Sequence, residues 1–181
     1  MLKKKIVASL IVLGSLLTFF VGTTLAYFVS ASKPLINTFT VGKIQLELTE
    51  TTGANYALVP GKTVEKDPKI TVKAGSEACW LFVQLKKENH VDDYVSYQVA
   101  DGWTALGGNG VYYRDVAKTQ EDVAYTVLKD NQITIKDTVT EEKASLITSK
   151  PKLTVYAYAV QSDNVATAAE AWTIMQANLQ E

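Results

Sequence analysis

The chain carries one histidine, His90, and one cysteine, Cys79, so chemistry that needs an imidazole or a thiolate must be built on a single residue of each kind. His90 ends the polar stretch Lys86-Lys87-Glu88-Asn89-His90 and is followed by Val91-Asp92-Asp93. A zinc-protease helix sets two histidines one turn apart on one face, with a glutamate between them as base; no second histidine exists to complete that pair. A Ser-His-Asp triad could form only around His90, and no Gly-x-Ser-x-Gly turn is present to present a nucleophile. Cys79 lies inside the apolar run Cys79-Trp80-Leu81-Phe82-Val83. It reads as a small buried hydrophobe rather than a reactive thiol, and it has no partner for an internal disulfide.

The carboxylates Asp92-Asp93, Glu121-Asp122 and Glu141-Glu142 are adjacent pairs, whereas a calcium loop spaces its oxygen ligands at alternate positions. Solvated loop charge is the first reading of these pairs and a weak calcium site the second. Gly107-Gly108-Asn109-Gly110 lacks the following Lys-Ser/Thr of a phosphate loop and reads as a hairpin turn. Tyr94, Tyr97, Tyr112, Tyr113, Tyr125, Tyr156 and Tyr158 fall in strand-like segments, where tyrosines form cross-strand packing pairs more often than a ligand platform. No catalytic, cofactor-binding or metal-binding constellation emerges, so the expectation is a protein that is not an enzyme and takes no cofactor.

The elements that would position these residues begin after an export segment. Lys3, Lys4 and Lys5 precede an apolar run from Ile6 to Val21 interrupted only by Ser9, Gly14, Ser15 and Thr18, the n-region and h-region of a signal peptide. Thr24 and Ala26 supply small residues at the −3 and −1 positions, which places a signal peptidase cut before Tyr27 and makes residues 1–26 the signal. The second reading is an uncleaved anchor, because about 20 apolar residues suffice to span a bilayer. In both readings the lysines hold the N-terminus inside, and the membrane is engaged only through this segment. Removing it leaves 15 of the 18 basic residues against all 19 acids, a net charge of about −4. A mildly acidic surface with dispersed lysines excludes a nucleic-acid partner, whose phosphates demand clustered Lys and Arg.

The remaining chain alternates in the manner of strands. Phe39, Val41, Ile44, Leu46 and Leu48 are separated by polar residues, with Gly42 as a bulge position. Val59-Pro60-Gly61 predicts a type II turn. Further strands are predicted over 69–73, 79–85, 94–99, 111–116, 125–128, 132–136 and 153–160, with 79–85 apolar on both faces as in a central strand. This rhythm of short strands and turns predicts one all-β sandwich or barrel domain over 39–181. At its end, Val165, Ala168, Trp172, Met175 and Leu179 recur at helical steps. They predict an amphipathic helix over 164–180, capped by Ser162 or Asp163 and docked on the sheet by Trp172.

One stretch resembles a known family. Tyr27-Phe28 after a small residue, followed by Asn37-Thr38-Phe39-Thr40-Val41-Gly42-Lys43-Ile44-Gln45-Leu46, is similar to the start of secreted proteins processed by the SipW-type signal peptidase. That group includes TasA, a biofilm fibre protein, and camelysin. The likeness continues through Val59-Pro60-Gly61, Asp67-Pro68-Lys69-Ile70-Thr71-Val72, Glu77 to Val83 and Tyr156-Ala157-Tyr158-Ala159-Val160-Gln161. It implies a jelly-roll β-sandwich secreted by a Gram-positive bacterium. In fibre-forming members it also implies polymerisation, in which an apolar N-terminal segment, here residues 27–38, adds as a strand to the next subunit.

The donor residues would be Tyr27, Phe28, Val29, Leu35 and Ile36, and Pro34 is a departure because it removes one ladder donor. The function this implies is a structural protein of the cell surface or biofilm matrix, self-associating or joining a related fibre subunit. Two other readings stand beside it. One is a camelysin-like secreted metalloprotease. The other is a surface-exposed binding or adhesion module using the Tyr-rich strands or the Trp103 loop between Gly102 and Gly110.

Overall fold

A computed structural model describes residues 44–53, 55–140, 143, 147 and 149–179. The export segment, with Thr24, Ala26 and Tyr27, lies outside these residues. So do the donor positions Tyr27, Phe28, Val29, Leu35 and Ile36, the strand start at Phe39 to Gly42, and Glu141-Glu142.

The described chain is all-β with one helix. Ten strands run in order as β1 (Leu46–Thr49), β2 (Thr63–Glu65), β3 (Lys69–Val72), β4 (Cys79–Glu88), β5 (Val95–Ser96), β6 (Thr104–Ala105), β7 (Val111–Val116), β8 (Val123–Thr126), β9 (Gln132–Ile135) and β10 (Lys152–Gln161), followed by α1 (Ala168–Asn178). Every pairing is antiparallel. The sheets are β1-β3-β8, β10-β4-β7-β6 and β2-β9-β5.

The four-stranded sheet is the organising layer, and the residue types of β4 explain why. In a strand successive side chains point to opposite faces. Cys79, Leu81, Val83 and Leu85 therefore enter one core with Ile70, Val72, Val116, Val155 and Ala157. Phe82, with Trp80 beside it, enters a second core on the other face with Tyr158, Ala168, Ala171 and Met175. A strand buried on both faces must be apolar throughout, which is why this run lacks the usual alternation. Each large side chain buried here stabilises the fold by roughly 1.5–3 kcal/mol.

The helix covers that second face. Trp172 sits with its ring 5.2 Å from Phe82 and 5.7 Å from Tyr158, the anchoring role predicted for it. Its start differs from the expected Ser162 or Asp163. Val165 donates back to Ser162 and Asn164 takes φ 63, so the chain turns before it coils. Thr167 is the cap, its hydroxyl accepting from Glu170 N, while the Glu170 carboxylate accepts from Ala166 N. This reciprocal pair satisfies two otherwise orphaned donors. Leu179, expected on the apolar face, is exposed beyond the helix end.

Two short strands, β2 and β6, were not expected. The predicted strand over 94–99 contracts to β5 with an isolated bridge from Val99 to Leu128. The expected turn at Val59-Pro60-Gly61 is present: Lys62 N donates to Val59 O and Gly61 takes φ 71, the conformation that glycine allows there. Among the described residues no helix is long and apolar enough to cross a membrane.

Candidate functional site

The residues with the greatest chemical potential are kept apart by the fold. His90 is exposed in a left-handed turn at the end of β4, with φ 56, and no side-chain hydrogen bond from it caps the short 3-10 turn that follows. Cys79 is fully buried, and burial pushes its thiol up to about 12, so a thiolate is not available at neutral pH. Asp92 pairs with Lys87 at 3.0 Å. Asp122 accepts from Ala74 N at 2.8 Å and pairs with Lys73 at 3.0 Å, which draws its carboxyl below the usual range.

A catalytic zinc requires three protein ligands around one point. Among the described residues no three His, Cys, Asp or Glu side chains are grouped to hold a metal. The described donors do not fit such a centre.

One tyrosine contact is of the expected cross-strand kind and another runs along a single strand, β10. Tyr113 meets Trp80 edge to face at 5.9 Å, and Tyr156 stacks on Tyr158 at 6.3 Å. Trp103 is also engaged within the fold: its indole N–H donates to Thr126 O at 2.8 Å and its ring carries the Arg114 guanidinium. The Gly107-to-Gly110 segment closes the hairpin between β6 and β7, as predicted.

Two features that local sequence patterns do not announce involve β10. One is a cleft of about 940 Å³ between β9 and the start of β10. Ile133, Ile135, Val91 and Val95 form its apolar floor, Leu58 and Leu153 stand in its walls, and Lys66, Lys150 and Lys152 supply its charges.

The wall containing Leu58 belongs to the loop that follows β1, and a polar latch holds that loop. The Asp67 carboxylate accepts from the backbone N–H of Thr51 and Thr52 at 3.0 and 2.9 Å, and from both hydroxyls. These donors, the Thr51 hydroxyl foremost, hold its carboxyl far below the usual range. Lys66, buried, pairs with Glu50 at 2.7 Å and lies 5.8 Å from the Tyr56 ring centroid.

The other feature is the outer edge of β10. All ten of its residues pair with β4, from Lys152 with Glu88 to Gln161 with Cys79. Among the described residues no strand pairs with the opposite edge. A strand edge of this length offers a row of backbone donors and acceptors to a further strand.

A family model described as Camelysin metallo-endopeptidase matches residues 1–168, ending at the first residue of α1. No curated protein and no solved structure matches the chain.

Proposed function

The chain belongs to the camelysin metallo-endopeptidase family, and we propose that it is a secreted structural protein of the bacterial cell surface or matrix that assembles through strand addition. The observation that carries this reading is the ten-residue β10, paired on one edge only among the described residues. An extended segment added there gains backbone hydrogen bonds along its length and places alternate side chains against the sheet. The donor is the apolar segment exposed by cleavage after Ala26, with Tyr27, Phe28, Val29, Leu35 and Ile36 as anchors, from a second copy or a related fibre subunit. Pro34 confines the pairing to the residues on either side of it.

The test compares protein beginning at Tyr27 with protein beginning at Asn37 by electron microscopy. Filaments from the first and none from the second, with unchanged circular dichroism, are expected. Phe28→Lys in the longer protein should also abolish filaments, and equal filament formation by all three sinks the strand-addition reading.

The family description itself favours a second reading, a metalloprotease. It requires a metal site that the described donors do not form. Casein cleavage that is abolished by a chelator and by His90→Ala would establish it in place of the first.

A further inference from the structure

We propose that the cleft between β9 and the start of β10 binds a single-chain amphiphile with an anionic head, of the fatty-acid class, independently of any assembly through the outer edge of β10. The cleft's volume of about 940 Å³ falls within the roughly 300–1,000 Å³ of small-molecule sites. Its floor is aliphatic: Val91, Val95, Ile133 and Ile135 contribute no polar side-chain atom. Such a floor gains by covering itself with hydrocarbon, while Asn55 and Tyr56 stand beside Leu58 in the lining.

The charges determine which apolar ligand fits. Among the described residues the lining carries three lysines and no carboxylate. Lys66 is buried and already paired with Glu50, so its charge is satisfied within the fold and it offers no free cation. Lys150 and Lys152 stand exposed on either side of Pro151. Lys152 shares Glu88 with Lys86, at 3.3 Å from each, and Lys150 makes no ion pair among the described residues. Asn89 donates to Lys150 O at 2.8 Å, which ties this rim to the end of β4.

Two cations at a solvent-facing rim above an aliphatic floor match a ligand whose negative head stays wet while its chain is buried. A carboxylate receives charge-assisted hydrogen bonds from such ammonium groups. A neutral amphiphile gains only the apolar contact.

The experiment is a calorimetric titration of the full chain with dodecanoate, held below its micelle concentration, and with the neutral glycerol ester of the same acid. Saturable one-to-one binding of dodecanoate is expected, tighter than that of the ester. Leu58→Glu places a like charge in the wall and removes apolar contact, and should weaken dodecanoate by at least about tenfold. Val59→Glu alters a neighbouring exposed residue that does not line the cleft and should leave affinity within about twofold.

Both variants keep the apolar run at 6–21, so uptake by that segment would be equal in the two. Equal affinity for Leu58→Glu and Val59→Glu therefore overturns the proposal, as does the absence of saturable binding. Lys150→Gln with Lys152→Gln, at exposed positions that leave the core intact, should erase the preference for dodecanoate over the ester. Retention of that preference overturns the assignment of the head to this rim.

Discussion

The guanidinium of Arg114 lies 4.7 Å from the ring centroid of Trp103 and 4.6 Å from that of Tyr125. Arg114 belongs to β7 in the four-stranded sheet and Tyr125 to β8 in the β1-β3-β8 sheet, so the stacked cation ties two sheets together. Its Nη2 donates to Asp101 O at 2.9 Å, and burial lowers the affinity of the group for its proton. A planar guanidinium can lie flat between two rings, whereas an ammonium cannot. Arg114→Lys should therefore lose about 1–3 kcal/mol in urea denaturation despite keeping the charge. Gly102 has φ 84, and a Cβ there would meet Arg114 Nη2. Gly102→Ala should destabilise the wild type by more than it destabilises Arg114→Ala, and strict additivity of the two changes would show that the residues do not interact.

Cys79 pairs across strands with Val116 and Gln161 and is fully buried in the main core. With its thiol pushed up to about 12, the native protein should not react with a thiol reagent at pH 8, and labelling should follow the unfolding transition in urea. Cys79→Ser places a hydroxyl among aliphatic side chains and should cost about 1–3 kcal/mol. Rapid labelling of the native state would contradict the burial.

Particular segments show how far the fold could be read from the sequence. The run from Cys79 announced a strand buried on both faces because no polar residue interrupts it before Gln84. The segment Val111 to Val116 follows the glycine group that ends at Gly110, and β7 has the expected limits. Strands β2 and β6, of three and two residues, are too short for an alternation to show. They exist because β9 and β7 supply partners. The cap was expected at Ser162 or Asp163, and the Thr167/Glu170 pair that forms it went unread because the turn at Asn164, which delays the helix, is not announced by the sequence. The cleft was not legible, since Leu58, Ile133 and Leu153 meet only in the folded chain. Nor was the burial of Lys66, whose partner Glu50 lies 16 residues away.

The Asp67 latch predicts a specific acid response. Its folded pKa lies below the unfolded value of about 3.9, so the stability that the carboxylate provides is fully present above about pH 4. It is lost as pH falls toward the depressed folded value. Asp67→Asn keeps an acceptor for the threonine donors but removes the charge. The variant should be less stable than wild type at neutral pH, and the gap in thermal midpoint should narrow between about pH 4 and pH 2. Glu88 and Asp122 are also lowered, but they titrate alike in both proteins and cancel in the comparison. A gap that stays constant over that window would mean that the charge on Asp67 does not stabilise the loop.

The docking of α1 rests on two contributions that can be separated. Helix propensity alone cannot hold an 11-residue helix in water, so α1 depends on its cap and on the face it buries. Thr167→Ala removes the acceptor for Glu170 N and should cost about 1 kcal/mol, lowering the midpoint without altering the near-ultraviolet spectrum of the packed aromatics. Trp172→Ala removes the ring lying against Phe82 and Tyr158 and should cost about 3–5 kcal/mol, with loss of near-ultraviolet circular dichroism. Trp80 donates to Val165 O at 3.0 Å just before the helix, so its fluorescence should shift red in Trp172→Ala as water reaches that face. An unchanged Trp80 emission would show that the turn preceding α1 stays docked on the sheet without the Trp172 anchor.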